Sequence, residues 1–515
     1  MKNLYIAFLL LTIIVNSSCE KFLKENPKDV VTVDKVYQTD EDLIFASNGI
    51  YNSLVSFYRA GNGDWHIYYT NEVRSDDIRK GPNATNTAYD SWERGLYNSS
   101  TPGILSLWTN MYRAIKDANI LIDKAPAASG ASDATKNQVI AESLCLRAFY
   151  YFQLVKFFGD VPLNTSVFTD VTALGTPRVP IQDIYNQIVT DLTYCAGGTT
   201  AYAGLPISYS SDLNRVALNA ARTMLAEVYM TMPVKNYFKA DSLLKKVRDS
   251  KQNTLFANYK DVFMAANKNV AITKAGTKYT NGENIFLIFF HPDFDPPGGA
   301  AAPSTFSPRD AIVGNTSRAG LGDLVATPQT FKLYDPADLR RSIIFPFTYV
   351  NKDGATVNFP HSNTAGNGYN TSAKEYYINK YTIEGQNSPF RWASNPIYVY
   401  RYADVLLLLA EANNEVNSGP TIDAYNALKE VRDRAGLPTP LIGTFNYTTF
   451  KAVVIKEARM ELLGDARRFS YELRLGTLIS DLAAIGQTLD PSKILLPIPQ
   501  NELDNNAAMI QNPGY

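Results

Sequence analysis

Apolar residues in the first third of the chain recur at helical spacing. Thr39-Asp40-Glu41-Asp42 offers an N-cap followed by acidic residues, which the macrodipole favours in a first turn. Leu43, Ala46, Ile50, Leu54 and Phe57 then form one stripe. A second stripe runs through Leu105, Trp108, Met111, Tyr112, Ile115 and Leu121/Ile122. A third helix is predicted from about Thr135 to Phe158, carried by Val139, Leu144, Ala148, Tyr151, Leu154 and Phe158 and ended by Gly159 and Pro162.

Farther along, the pattern repeats itself. Leu225-Ala226-Glu227 recurs as Leu409-Ala410-Glu411, and Leu244-Lys245-Lys246-Val247-Arg248-Asp249 as Leu428-Lys429-Glu430-Val431-Arg432-Asp433, in one register. Met232-Pro233 and Ser418-Gly419-Pro420 supply the turns, and Ala240 and Ala424 the matching small residues where two helices approach closely. This is a helix–turn–helix repeat of tetratricopeptide type, whose units bury their apolar faces on one another. Between the copies, from His291 to about Gln329, Pro, Gly, Ala and Ser dominate. Scattered Asn, Gly, Thr and Tyr follow as far as Pro396, with short alternating runs such as Phe345 to Val350 that suggest small strands. Irregular stretches of this length inside a compact chain usually serve function. The expected fold is mainly α: a helix-pair scaffold with a loop-rich irregular middle carrying a few short strands.

Composition refines the picture only in places. The 515 residues, 45% apolar and 19% charged, are enough for a large core, and the net charge of -1 argues against a nucleic-acid partner. Tyrosine is abundant, with 32 Tyr beside 25 Phe and 4 Trp. Such rings suit either recognition surfaces or packing between helices. Lys2, the apolar run Leu4 to Val15, and Ser17-Ser18 read as a secretory signal peptide, too short to span a bilayer. Cys19 follows where a bacterial lipoprotein is cleaved and acylated, although Asn16 stands where such sites usually carry an aliphatic residue. No later segment is apolar for long enough to span, so an anchored chain is expected. Cys145, on a helix face with Ala141 and Phe149, suggests a buried structural thiol, and with Cys195 far away in sequence the two make no disulfide framework or zinc site.

Chemistry is sparse. His66, His291 and His361 are not at ligand spacing, and no phosphate loop, dinucleotide fingerprint or nucleophile elbow occurs. Asp293 to Gly298 begins like a calcium loop but places Ser304 where the bidentate Glu belongs. No catalytic residue, metal ligand or cofactor is therefore assigned. Glu457, Arg459, Glu461, Arg467 and Arg468 read as a charge network joining two helices around Gly464. Trp108 belongs to a core stripe. Around Trp92, the segment Thr87 to Asn98 combines rings with Asp, Arg and Asn, the types that stack on a sugar face and bind its hydroxyl rim. Candidate ligand contacts are Trp65, Tyr68, Tyr89, Trp92, Arg94, Asn98 and Trp392. The alternative for each tryptophan is a ring buried to pin a loop, and for Trp392 this alternative is favoured.

Four ordered motifs near the C-terminus make a signature: Arg401-Tyr402-Ala403-Asp404 to Ala412, Ala427 to Leu437, Glu457-Ala458-Arg459-Met460-Glu461 to Phe469, and Leu495-Leu496-Pro497-Ile498-Pro499 with Asn512-Pro513-Gly514-Tyr515. Upstream stand Asn48-Gly49-Ile50-Tyr51, Ser75-Asp76-Asp77, Tyr112-Arg113-Ala114-Ile115 and Leu146-Arg147-Ala148-Phe149-Tyr150-Tyr151-Phe152. Over nearly its whole length the chain resembles the SusD/RagB family of outer-membrane nutrient-capture lipoproteins. The resemblance implies a surface lipoprotein acylated at Cys19 that binds oligosaccharides, or in some branches peptides, without chemistry. It would act as the lid of a SusC-type TonB-dependent transporter. It implies a signal peptide over 1–18, an N-terminal helical half over 19–270, and a ligand-facing segment with C-terminal helices over 271–515. The family's ligand contacts lie in variable loops, so none transfers by position. Glu20 to Glu25 is less acidic than in surface-exported members, which leaves a periplasm-facing anchor as an alternative. A helical-repeat adaptor with no small ligand is the rival of another class.

Overall fold

The computed structural model describes residues 36–58, 66–82, 84–85, 88–167, 175–197, 205–207, 215–264, 272–274, 277–279, 281–290, 302–312, 320–362, 373, 375–381 and 395–515. The first helix, α1 (Asp40–Tyr58), opens on a reciprocal cap. Thr39 Oγ1 accepts from the Asp42 amide at 3.2 Å, and Asp42 Oδ2 accepts from the Thr39 amide at 3.0 Å. The predicted stripe faces inward at Leu43, Ile50, Leu54 and Phe57, with Ala46 half-buried.

Helices α2 (Ile104–Lys124) and α3 (Asp133–Phe158) pack on α1 and on each other. In α2 the inward stripe begins at Ile104 and Leu107, whereas Leu105 is 37% exposed. The helix starts on Gly103, and that phase turns Leu105 away from its neighbours. Gly159, at φ +70°, stops α3 in a conformation that strains any residue with a Cβ. From Cys145 to Phe158 every residue of α3 is buried, so its second half is surrounded on all sides. Helix α4 (Ile181–Cys195) lies against α3.

The two repeats fold alike. Helices α5 (Leu218–Thr231) and α6 (Tyr237–Asp249) make the first pair, and α7 (Tyr402–Asn417) and α8 (Ile422–Arg434) the second. Arg401 stands at the N-cap of α7. α6 packs against α7, which stacks one pair on the other as the shared register predicts. Ala240 and Ala424 are fully buried at the close approaches. Helices α9 (Tyr447–Glu461) and α10 (Arg468–Leu475) complete the scaffold.

Short strands lie in the middle and on either side of it. β1 (Ile78–Lys80), β2 (Ile272–Lys274), β3 (Thr277–Tyr279), β4 (Asn284–Ile288), β5 (Leu324–Ala326), β6 (Thr348–Val350), β7 (Thr356–Asn358) and β8 (Ile397–Arg401) form antiparallel pairs: β1 with β5, β2 with β3, β4 with β8, and β6 with β7. β4 and β8 are wholly buried, and β8 runs straight into α7. One continuous core joins residues from Leu43 to Met509, so the helical scaffold and the middle share a single interior.

Candidate functional site

Residues 66–80 form the seam between scaffold and middle. One turn of π-helix, Tyr69–Val73, leads to Arg74, Ser75, Asp76 and Asp77, all buried. Such turns re-aim side chains by inserting one residue into a helix, and they are frequent at functional sites. Their polar groups are matched from α9 and α10. Arg459 pairs with Asp76 at 2.8 Å and Asp77 at 2.6 Å, and Arg468 pairs with Asp76 at 2.9 Å. Burial opposes the charge on Asp76, but Arg468 and Arg459 hold its carboxyl below the usual range. Asp76, Glu472 and Asp481 converge closely enough to suggest a cation site. Arg468 already contacts all three, at 2.9, 3.2 and 3.2 Å.

The charge network predicted around Gly464 is present and wider than two helices. Glu461 meets Arg340, Arg401 and Arg434 in the core, and Glu457 meets Arg340 and Arg432. Burial pushes the Glu461 carboxyl up, and these arginines outweigh it and hold the pKa far below normal. Gly464 takes φ +78°, and its carbonyl accepts from the Tyr381 hydroxyl at 2.8 Å.

The candidate ligand residues separate into three groups. Tyr68, Tyr89 and Trp92 are buried, each with at most 1% of its surface exposed. Trp92 stacks on Tyr69 at 5.5 Å with the planes 4° apart, and it meets Tyr97 at 5.3 Å. Tyr89 packs edge-on to Tyr69 at 5.1 Å, and Tyr68 edge-on to Phe306 at 5.5 Å. These three rings offer no solvent-facing surface for a ligand, so the structure uses them for packing. The second group, Arg94 and Asn98, is exposed. Trp65 and Trp392 lie outside the described residues, as do Cys19 and the calcium-like segment 293–298.

Their anchors are nevertheless described. Tyr68 follows Trp65 by three residues, and Asn395 follows Trp392 by three. Tyr68 touches Phe306, Phe306 stacks on Tyr381 at 6.1 Å, and the Tyr381 carbonyl accepts from Asn395 Nδ2 at 3.0 Å. Tyr68 and Asn395 are thus joined through Phe306 and Tyr381.

A groove among the described residues begins beside Asn98. It encloses about 690 Å³ between the end of α1, the start of α2 and the C-terminal region. Ser56, Ser100, Thr109, Asn110, Arg113 and Asn501 are among its lining residues. Asn98 shapes its lip: Oδ1 accepts from the Ser100 amide at 2.9 Å, and its own amide donates to Thr101 Oγ1 at 2.8 Å. Ser99 Oγ donates to Gln500 Oε1 at 2.8 Å and ties the two walls together. Arg113 reaches the groove from α2, one turn before Asp117, whose carboxyl burial pushes up and the Arg113 charge helps to hold down. Hydroxyls, amides and one guanidinium make a surface suited to an uncharged polyol. The Ser99-Ser100-Thr101 run before α2 was a legible signal for this wall, whereas Gln500 was not.

Comparison with known proteins assigns the lineage. A model described as "SusD family" matches residues 298–474, and one described as "Starch-binding associating with outer membrane" matches 33–230. The chain belongs to the SusD/RagB family. SusD-like protein P2 of Formosa agariphila is 27% identical across all of both chains. Among solved structures, a SusD superfamily protein of Parabacteroides distasonis superposes with a TM-score of 0.75 at 21% identity, over 92% of this chain and 99% of that one. Surface glycan-binding protein A of Bacteroides thetaiotaomicron, solved with laminarihexaose, gives 0.70 at 22% identity, over 92% and 100%. The mainly helical SusD fold is thus shared by this chain and both solved structures. Among the described residues no helix is long and apolar enough to cross a membrane.

Proposed function

We propose that this SusD-like chain captures oligosaccharides at the outer membrane and delivers them to a SusC-type TonB-dependent transporter, tethered by acyl chains on Cys19. The match of residues 33–230 to the model of starch-binding, outer-membrane-associated proteins carries this reading. The laminarihexaose-bound relative supports a glucan as the first ligand to try. Trp65 and Trp392 are the proposed stacking residues. In sequence each stands three positions before a described residue, Tyr68 or Asn395, and those two are joined through Phe306 and Tyr381. Arg94, Asn98 and the hydroxyl-lined groove supply polar contacts to the same or an adjoining stretch of glycan. The arrangement suits binding by shape and stacking, with hydrogen bonds setting specificity, and calls for no chemical step.

Calorimetry on the chain from Glu20 onward, against laminari- and malto-oligosaccharides and a peptide panel, tests this. The expected result is micromolar binding of one glucan series. Trp65→Ala or Trp392→Ala should weaken it at least tenfold with the melting point unchanged. Trp92→Ala should instead lower stability by about 3–5 kcal/mol, the usual result of emptying a core ring site. Binding of peptides alone would replace the glycan reading. No binding to any panel member would favour an adaptor role.

A further inference from the structure

Cys145 and Cys195, remote in sequence, are neighbours in space. Cys145 lies in the middle of α3 and Cys195 ends α4; both are buried, with free thiols. The contact between the helices is pinned on either side of this pair. Arg147 makes a bidentate bond to Asp191, with Nε to Oδ2 and Nη2 to Oδ1 both at 2.8 Å. On the other side, Cys195 Sγ donates to the Ala141 carbonyl at 3.2 Å. In an α-helix that carbonyl points at residue 145, one turn on. The Cys195 sulfur is thus seated against the turn that carries Cys145. Nothing in packing requires two thiols here, since a small apolar residue would fill either place.

We propose that Cys145 and Cys195 are joined by a disulfide in the exported protein, fixing the end of α4 to the middle of α3. The inference rests on export, as the proposed function does, because disulfides persist in oxidising compartments and not in the cytosol. Two thiols lose two protons and two electrons, and the sulfur–sulfur bond forms. The electrons reduce the disulfide of a thiol oxidase, or oxidised glutathione in vitro, to two thiols. Burial holds the native Cys195 thiol protonated and shielded, so the exchange belongs to folding, before α4 closes over α3. Once formed, the bond is shielded from reductants by the same burial.

Two preparations of the full chain test this: one refolded from the reduced, denatured state in a glutathione redox buffer, and one exported by cells. Each is denatured, alkylated and digested. Peptides bearing Cys145 and Cys195 should be recovered joined, two hydrogens lighter than their sum, and should take up iodoacetamide only after reduction. Reduction should lower the melting midpoint, and Cys145→Ser and Cys195→Ser should each abolish that sensitivity. Full alkylation of both cysteines without reduction, in the refolded chain, would overturn the pairing. A linked refolded chain beside an unlinked exported chain would overturn the claim that the bond forms on export, without touching glycan binding.

Discussion

The two helix pairs carry the same motif and place it in different surroundings. Glu411 of α7 accepts both terminal nitrogens of Arg474, one at 2.8 Å, and residue and partner are each buried. Glu227 of α5 occupies the matching position and also takes an arginine, Arg467 at 3.0 Å, which caps the same short helix α10. Its second oxygen accepts from the Tyr400 hydroxyl at 2.5 Å. Arg467 itself is shared with the Val399 carbonyl and Asp404, and Lys156 faces the same small cavity. One copy is a closed pair; the other is a network with alternatives. A repeated motif thus fixes which residue is buried, while its neighbours decide how replaceable the partner is.

Breaking the closed pair should cost most. Glu411→Ala removes the bidentate partner of buried Arg474, leaving the Tyr471 ring at 4.5 Å and the charge of Glu227 nearby, and a loss of about 3–5 kcal/mol is expected in urea unfolding. Next comes Lys156. Burial lowers its pKa from 10.5 to about 8, despite the nearby Glu227 carboxylate. Between those values the unfolded chain binds more protons than the folded one. Stability should therefore rise as pH climbs from about 8 to 10.5, by up to about 3 kcal/mol. Lys156→Met should remove that slope and raise stability at neutral pH; an unchanged slope would assign it to other groups.

Glu227→Ala should cost less than its counterpart, about 2 kcal/mol, because Arg467 keeps Asp404 and the Val399 carbonyl. Equal losses from the two glutamate variants would remove the distinction between pair and network. The smallest effect belongs to Lys429, whose ion pair with Asp433 lies in solvent. Lys429→Ala should leave the unfolding midpoint unchanged within error.

The helices and the stacking of the two pairs were legible because helical periodicity and a shared register are local properties of sequence. The site was less so. Tyr89 and Trp92 were read as contacts for their composition, but they stand three apart in a short helix, Ala88–Glu93, whose inward face they form. That spacing marked burial, and Tyr69 and Tyr97, their ring partners, lay outside any pattern joining them. Asn98 holds the lip of the groove through bonds to Ser100 and Thr101, an effect of turn geometry that a residue list does not show.

By itself, the sequence determined the repeat, the caps at Thr39 and Gly159, the inward stripes and the family signature, all of which follow from helical geometry over a few turns. Only the tertiary structure decided which rings lie in the core, which arginine meets which glutamate, and that Cys145 faces Cys195. Those outcomes depend on segments far apart in the chain closing on one another. The closure is settled by the packing of the whole interior, and no local pattern encodes it.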